Sequence, residues 1–161
     1  MLATIGLMGI VLAAVITDAE ADFVVRVENT ELIGSGQKPI PRIERDLDGS
    51  IIRLRLSRMQ ISVEEFAVIG RMTTLRSLDL YRSNLTDANL RQLHKLTHLE
   101  GMNLTETAVT DDAIDEIIKF ESLKSLCLGG VAITPAAVAR LKEEHFRMRG
   151  RRLSLGYTQR K

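Results

Sequence analysis

The sequence predicts an α/β chain: a solenoid of stacked strand–turn–helix units, with a parallel sheet on its concave side and short helices on its convex side. Three observations predict it. A 24-residue period runs from Ile51, each period opens on a short apolar alternation, and each then carries a helix-start signal ahead of apolar residues at helical spacing. The segments 51–74, 75–98, 99–122 and 123–146 align without a gap. Seven slots per segment carry the pattern, in the second Leu75, Leu78, Leu80, Leu85, Leu90, Leu93 and Leu96. Of 28 such slots 27 are apolar, Glu144 being the exception, whereas the 45% hydrophobic composition would fill about 13. A period of this length means units that bury an apolar face against their neighbours.

Taken in order, the chain opens on Leu2–Ile16, fifteen residues without a charge, followed by Ala19-Glu20-Ala21 in the small-x-small form of a cleavage site. That is the pattern of a secretory signal cut before Asp22. No Lys or Arg precedes the run, and it falls short of the ~20 residues that span a bilayer. Residues 1–21 therefore read as a signal peptide, an uncleaved anchor or a displaced start. The first two place the repeats outside the cytoplasm, and a cytoplasmic location is the alternative. Residues 22–39 read as a partly ordered leader and 40–161 as the folded domain.

Within that domain, 40–50 form an N-terminal cap, because Asp48-Gly49 signals a hairpin turn between strands containing Ile43 and Ile51. Each repeat in 51–146 then opens as L-x-x-L-x-L. In Leu75-Arg-Ser-Leu78-Asp-Leu80 the period of two turns Leu78 and Leu80 inward and Asp79 outward. Ser62-Val-Glu-Glu65 is a capping box, Thr86-Asp87 and Thr110-Asp111-Asp112 set a hydroxyl before first-turn acids, and Thr134-Pro135 puts proline at the first helical position. Helices of two to three turns are expected after each. Residues 147–161 form a C-terminal cap and basic tail. Leu153 and Leu155 repeat the alternation of Leu126 and Leu128 27 residues on, an edge strand kept soluble by Arg147, Arg149, Arg151, Arg152, Arg160 and Lys161. Anion binding through that segment is the other reading.

The strings LRSLDLYRSNLTDANLRQLHKL, LEGMNLTETAVTDDAIDEIIKF and LKSLCLGGVAITPAAVARLKEE resemble leucine-rich repeats. The form is similar to bacterial repeats of the type LxxLxLxxTxVTDxxLxxLxxL, related to the helix-bearing repeats of F-box adaptors. The resemblance covers 51 to about 144 and places the polar ladder position of that family at Met59, Ser83, Thr107 and Val131. Ser83 and Thr107 are expected to bond turn backbone. Met59 and Val131 cannot, which leaves water for their turns. The resemblance implies protein–protein recognition and no chemistry of its own.

Composition agrees with that direction. Twenty-two basic against 21 acidic residues give +1, no global field for a polyanion, and nucleic acid is not an expected partner. His94 and His98 are four apart but lie across a helix end with no third ligand near, so surface histidines are expected and no metal. Gly129-Gly130 lacks the rest of a phosphate loop, and the single Cys127 has no paired base. No catalytic residue and no cofactor are expected.

The alternation instead predicts a surface. Residues between the inward leucines point to the concave side in three rows: Arg53, Ser77, Gly101, Ser125; Arg55, Asp79, Asn103, Cys127; and Ser57, Tyr81, Thr105, Gly129. Tyr81 is the one aromatic among them, and Cys127 is expected to be an accessible thiol. The expected site is Arg53, Arg55, Asp79, Tyr81, Asn103, Thr105 and Cys127, receiving a protein or peptide partner with an acidic group toward Arg53 and Arg55. A structural spacer or adaptor fragment of a larger assembly is the competing class.

Overall fold

The computed structural model describes residues 18–30 and 42–159. Among them a helix α1 (Asp18–Glu28) precedes strand β1 (Ile43–Arg45) and strand β2 (Ile51–Arg55). Helix α2 (Val63–Ile69) leads to β3 (Ser77–Asp79), then α3 (Asp87–Leu90) running into a 3₁₀ turn at Arg91–Leu93. After β4 (Gly101–Asn103) come α4 (Ala113–Ile118), β5 (Ser125–Val131), α5 (Pro135–Arg149) and β6 (Ser154–Gln159). The six strands form one sheet in sequence order, β1 antiparallel to β2 and every later pair parallel.

The 24-residue period is written directly into the strand register. Arg53 pairs with Ser77, Ser77 with Gly101 and Gly101 with Ser125. All 27 apolar slots are buried, Ile51 being the most exposed at 9%. Leu54, Leu78, Met102 and Leu126 stack as one inward column between sheet and helices. The expected hairpin is present: Gly49 sits at φ +83° in the turn, where a side chain would be strained, and joins β1 to β2.

The helices are shorter than two to three turns in the second and third repeats. In the second repeat a four-residue α-helix passes into a three-residue 3₁₀ turn, and in the third α4 is six residues long. The capping box at Ser62 and Glu65 forms with both bonds, and Thr86 and Thr134 each accept from an amide three residues on. Turn amides are satisfied by backbone: Met59 N–H donates to Leu56 O at 3.1 Å, so no water is required there. Thr107 Oγ1 donates to Leu104 O at 2.7 Å as expected of the ladder, but Ser83 Oγ is buried with no hydrogen-bond partner among the described residues.

Both ends depart from the expected boundaries. Helix α5 continues past 146 to Arg149 and stops at Gly150, whose φ of +63° lets its N–H return to Phe146 O. That extra length makes the slip at the last strand five residues and not three, since Leu155 and not Leu153 lies beside Leu126. His145 takes the inward place that Glu144 cannot fill. It is 1% exposed, with its ring nitrogens 3.0 Å from Leu123 O and 3.2 Å from Arg151 O.

At the other end, α1 runs without a break through the expected cut before Asp22 and buries Phe23 and Val27 against the first repeat. Arg26 pairs with Glu65 of α2 at 2.5 Å. The buried Arg42 donates from Nε to Thr30 O and from Nη1 to Arg55 O, tying the end of α1 to β2. Residues 1–17 and 31–41, which hold the apolar run and half of the expected leader, lie outside the described residues, as do Arg160 and Lys161 of the tail. Among the described residues no helix is long and apolar enough to cross a membrane.

Candidate functional site

Helices cover one face of the sheet and leave the other open, and every expected site residue lies on or beside that open face. The parallel register aligns Arg53, Ser77, Gly101 and Ser125 in one row and Arg55, Asp79, Asn103 and Cys127 in the next. β6 adds a fifth rung that the sequence did not reveal, Ser154 beside Ser125 and Gly156 beside Cys127. The small residues of these rows leave a shallow depression of about 300 Å³ running from Arg53 and Arg55 across Asp79 and Asn103 to Cys127. Cys127 is an exposed free thiol.

The third row sits where the strands end, and two of its members are held by side-chain bonds. Asp79 Oδ1 accepts from Tyr81 N–H at 3.0 Å, and Asn103 Oδ1 accepts from Thr105 N–H at 3.1 Å, the same strand-ending turn one repeat apart. The rungs are also linked laterally: Ser57 Oγ donates to Asp79 Oδ2 at 2.9 Å and Asn103 Nδ2 to Asp79 Oδ1 at 3.0 Å. Cys127 in the same row cannot accept in this way, and β5 runs on to Val131 alongside β6. Thr105 itself stands against Gly129, where an added Cβ would lie 3.1 Å from its methyl group.

Beyond the third row the chain turns through a left-handed residue in every repeat: Arg58, Arg82, Glu106 and Gly130 have φ of 61°, 54°, 56° and 66°. Three of the four are not glycine, a conformation disfavoured for such residues. Their amides to the next rung hold it, Arg58 to Tyr81 O at 2.7 Å and Arg82 to Thr105 O at 3.0 Å. This turn sets the Tyr81 ring between two guanidinium groups, Arg58 at 5.8 Å and Arg82 at 5.2 Å from its centre. Arg82 pairs with Glu106 at 2.5 Å, and the Tyr81 hydroxyl reaches the same carboxylate at 3.4 Å. The Arg82 hydrogen bond is the chief reason that the Glu106 carboxyl is held below the usual range.

Arg53 and Arg55, toward which a partner's acidic group is expected, both also meet Glu44 on β1. Its Oε2 lies 3.0 Å from Arg53 Nη1 and its Oε1 2.7 Å from Arg55 Nη2. The bond from Arg55 is the largest cause holding the Glu44 carboxyl below its ordinary value. The positive corner is thus met from within by the capping hairpin, a pairing invisible in local sequence. Arg58 takes its place as the exposed cation beside Tyr81, with no ion pair among the described residues.

The remaining candidates lie apart. His94 and His98 are both exposed, and their Nδ1 atoms face different carbonyls, of Arg91 and Thr73. Among the described residues no three His, Cys, Asp or Glu side chains stand together as a metal site. Asp87, in the first turn of α3, and Asp111, just before α4, also bond to the following repeat. Asp87 accepts from Thr110 N–H at 2.9 Å and Thr110 Oγ1 at 2.7 Å, and Asp111 accepts in the same way from Thr134 at 2.7 and 2.8 Å. These are ladder contacts between successive repeats.

No family model matches this chain, and no curated protein does. Among solved structures, the actin-binding site 2 of leiomodin-1 is similar at a TM-score of 0.51 over 65% of this chain and 69% of that one, with 11% identity. At that identity the likeness is one of fold.

Proposed function

We propose that this chain is a leucine-rich-repeat solenoid and a non-catalytic binding module, receiving a protein or peptide partner on the open, concave face of its sheet. The observation that carries this reading is the Tyr81 station. It is a half-buried aromatic ring held between two guanidiniums, at the rim of an ordered polar face whose side chains are otherwise small. Rigid aromatic and arginine groups are what interfaces use as anchors, because they bury much area for little lost rotamer freedom. The partner places an apolar or planar group on Tyr81 and a carboxylate toward Arg58, with Asp79, Asn103 and Thr105 offering polar contacts. The solved neighbour of similar fold is an actin-binding site of leiomodin-1, which accords with a protein partner.

The test is to compare Tyr81→Ala, Arg58→Ser and the pair Arg53→Ser with Arg55→Ser in capture of the native partner, each checked for folding by circular dichroism. Tyr81→Ala and Arg58→Ser lose the partner while remaining folded, and the double variant weakens it less, because Glu44 already engages both of its arginines. Unchanged capture by folded Tyr81→Ala refutes the site.

A further inference from the structure

The two ends of the sheet are finished differently. At the first repeat, β1 is three residues long and α1 lies over the adjoining helix. At the last repeat, β6 is six residues long and lies at the sheet edge with nothing paired beyond it among the described residues. Ser154 N–H donates inward to Lys124 O at 2.9 Å. Peptide groups alternate sides along a strand, so those of Leu155 and Tyr157 point outward from the edge.

Beside this edge lies a groove of about 630 Å³ between β6 and the far face of α5. Ala139, Lys142, Glu143 and Phe146 line it from the helix, at the i, i+3, i+4, i+7 spacing of one helical face, and Leu153 and Leu155 from the strand side. Phe146 is 54% exposed there, on a helix whose adjoining face buries Val138, Leu141 and His145. The surroundings are basic: residues 142–153 hold Lys142, Arg147, Arg149, Arg151 and Arg152 against Glu143 and Glu144, in a chain whose total is only +1. Arg147 is paired with Glu144, whereas Arg152 and Lys142 have no ion pair among the described residues.

We propose that this end is a second docking site, taking an extended acidic segment of another protein as a seventh strand. Outward peptide groups of β6 supply a hydrogen-bonding edge, the groove takes alternate apolar side chains, and Arg152 and Lys142 meet carboxylates at the ends of the added strand. A second copy of this chain is a poorer occupant. Its pairing segment, Ser154–Gln159, carries no acidic side chain to meet Arg152 and Lys142. Nucleic acid fits the charge but has no peptide groups to complete the edge and no apolar side chains for the groove.

The test uses the full chain and a fluorescent peptide, Glu-Glu-Val-Thr-Val-Thr-Val-Glu-Glu, with a twin carrying Lys for every Glu. The acidic peptide binds in a polarisation assay and slows amide exchange at Leu155 and Tyr157. The twin binds at least about tenfold more weakly, and Arg152→Glu, at an exposed and unpaired position, weakens the acidic peptide by a similar factor. Leu155→Glu abolishes binding, its fold being checked by circular dichroism, while Tyr81→Ala leaves it unchanged, which separates this site from the open face. Absence of binding, equal binding of the twin, or exchange at β6 unaltered by peptide overturns the proposal. So does displacement of the acidic peptide by an oligonucleotide, or protection of β6 that rises with protein concentration alone.

Discussion

Replacing Asp87 by alanine removes both bonds that join the start of α3 to Thr110, just before α4. The carboxylate accepts from Thr110 N–H at 2.9 Å and from its hydroxyl at 2.7 Å. Hydrogen bonds to a charged acceptor contribute ~1.5–3 kcal/mol when dry, but both residues here are half-buried and water replaces part of the loss. The Thr110 amide loses its partner, while its hydroxyl still accepts from Asp112 N–H at 3.3 Å. About 2 kcal/mol is expected for Asp87→Ala, a fall in melting temperature of about 4–8 °C for a chain of this size. Asp87→Asn keeps one acceptor and costs about half as much. Urea unfolding of Asp87→Ala, Thr110→Val and the double variant gives the coupling directly, expected at about 1 kcal/mol. A cost below about 0.5 kcal/mol with additive single variants would refute the ladder as a source of stability.

Acid should loosen the molecule in a defined window. The carboxyls of Glu44, Glu100 and Glu106 are held below the ordinary range, chiefly by hydrogen bonds from Arg55, Lys124 and Arg82. Their contributions are therefore complete above the ordinary glutamate value of about 4.3 and disappear as pH falls through the lower folded values. The urea midpoint should drop below that pH, and more gently in Glu44→Gln. Gly70→Ala drives a Cβ into the backbone oxygen of Gln92, which no rotamer can relieve. It should cost about 3 kcal/mol despite alanine's better helix propensity, and a variant as stable as wild type in urea would show that the two repeats do not meet there. His145→Leu leaves Leu123 O and Arg151 O without their ring partner and should cost about 2–3 kcal/mol by the same assay. No loss would mean that the ring only fills space.

What the sequence disclosed was whatever repeats every 24 residues. Leu54, Leu78, Met102 and Leu126 declare an inward column because an alternation of two fixes their side and the period fixes their neighbours. The hairpin at Gly49 and the caps at Ser62, Thr86 and Thr134 are local and were equally plain. What stayed hidden depends on groups far apart in sequence or specific to one end. Glu44 meets Arg53 and Arg55 only once the hairpin folds back, and Asp87 and Asp111, legible only as helix-start acids, accept from Thr110 and Thr134 once the repeats stack. The three-residue offset of Leu153 and Leu155 suggested the wrong partners for β6 because the length of α5 is set by Gly150, not by the period. Helix α1 carried no repeat signature at all, and its anchoring by Phe23, Val27 and Arg42 was not foreseen.

The lone thiol at Cys127 permits the most direct test of binding on the open face, since it is exposed in the middle row of that surface. A benzophenone maleimide attached there and irradiated in native extract should couple to one protein. Excess unlabelled wild type should suppress that coupling, and excess Tyr81→Ala should not. Absence of any coupled protein, or equal suppression by folded Tyr81→Ala, would contradict a partner seated around Tyr81.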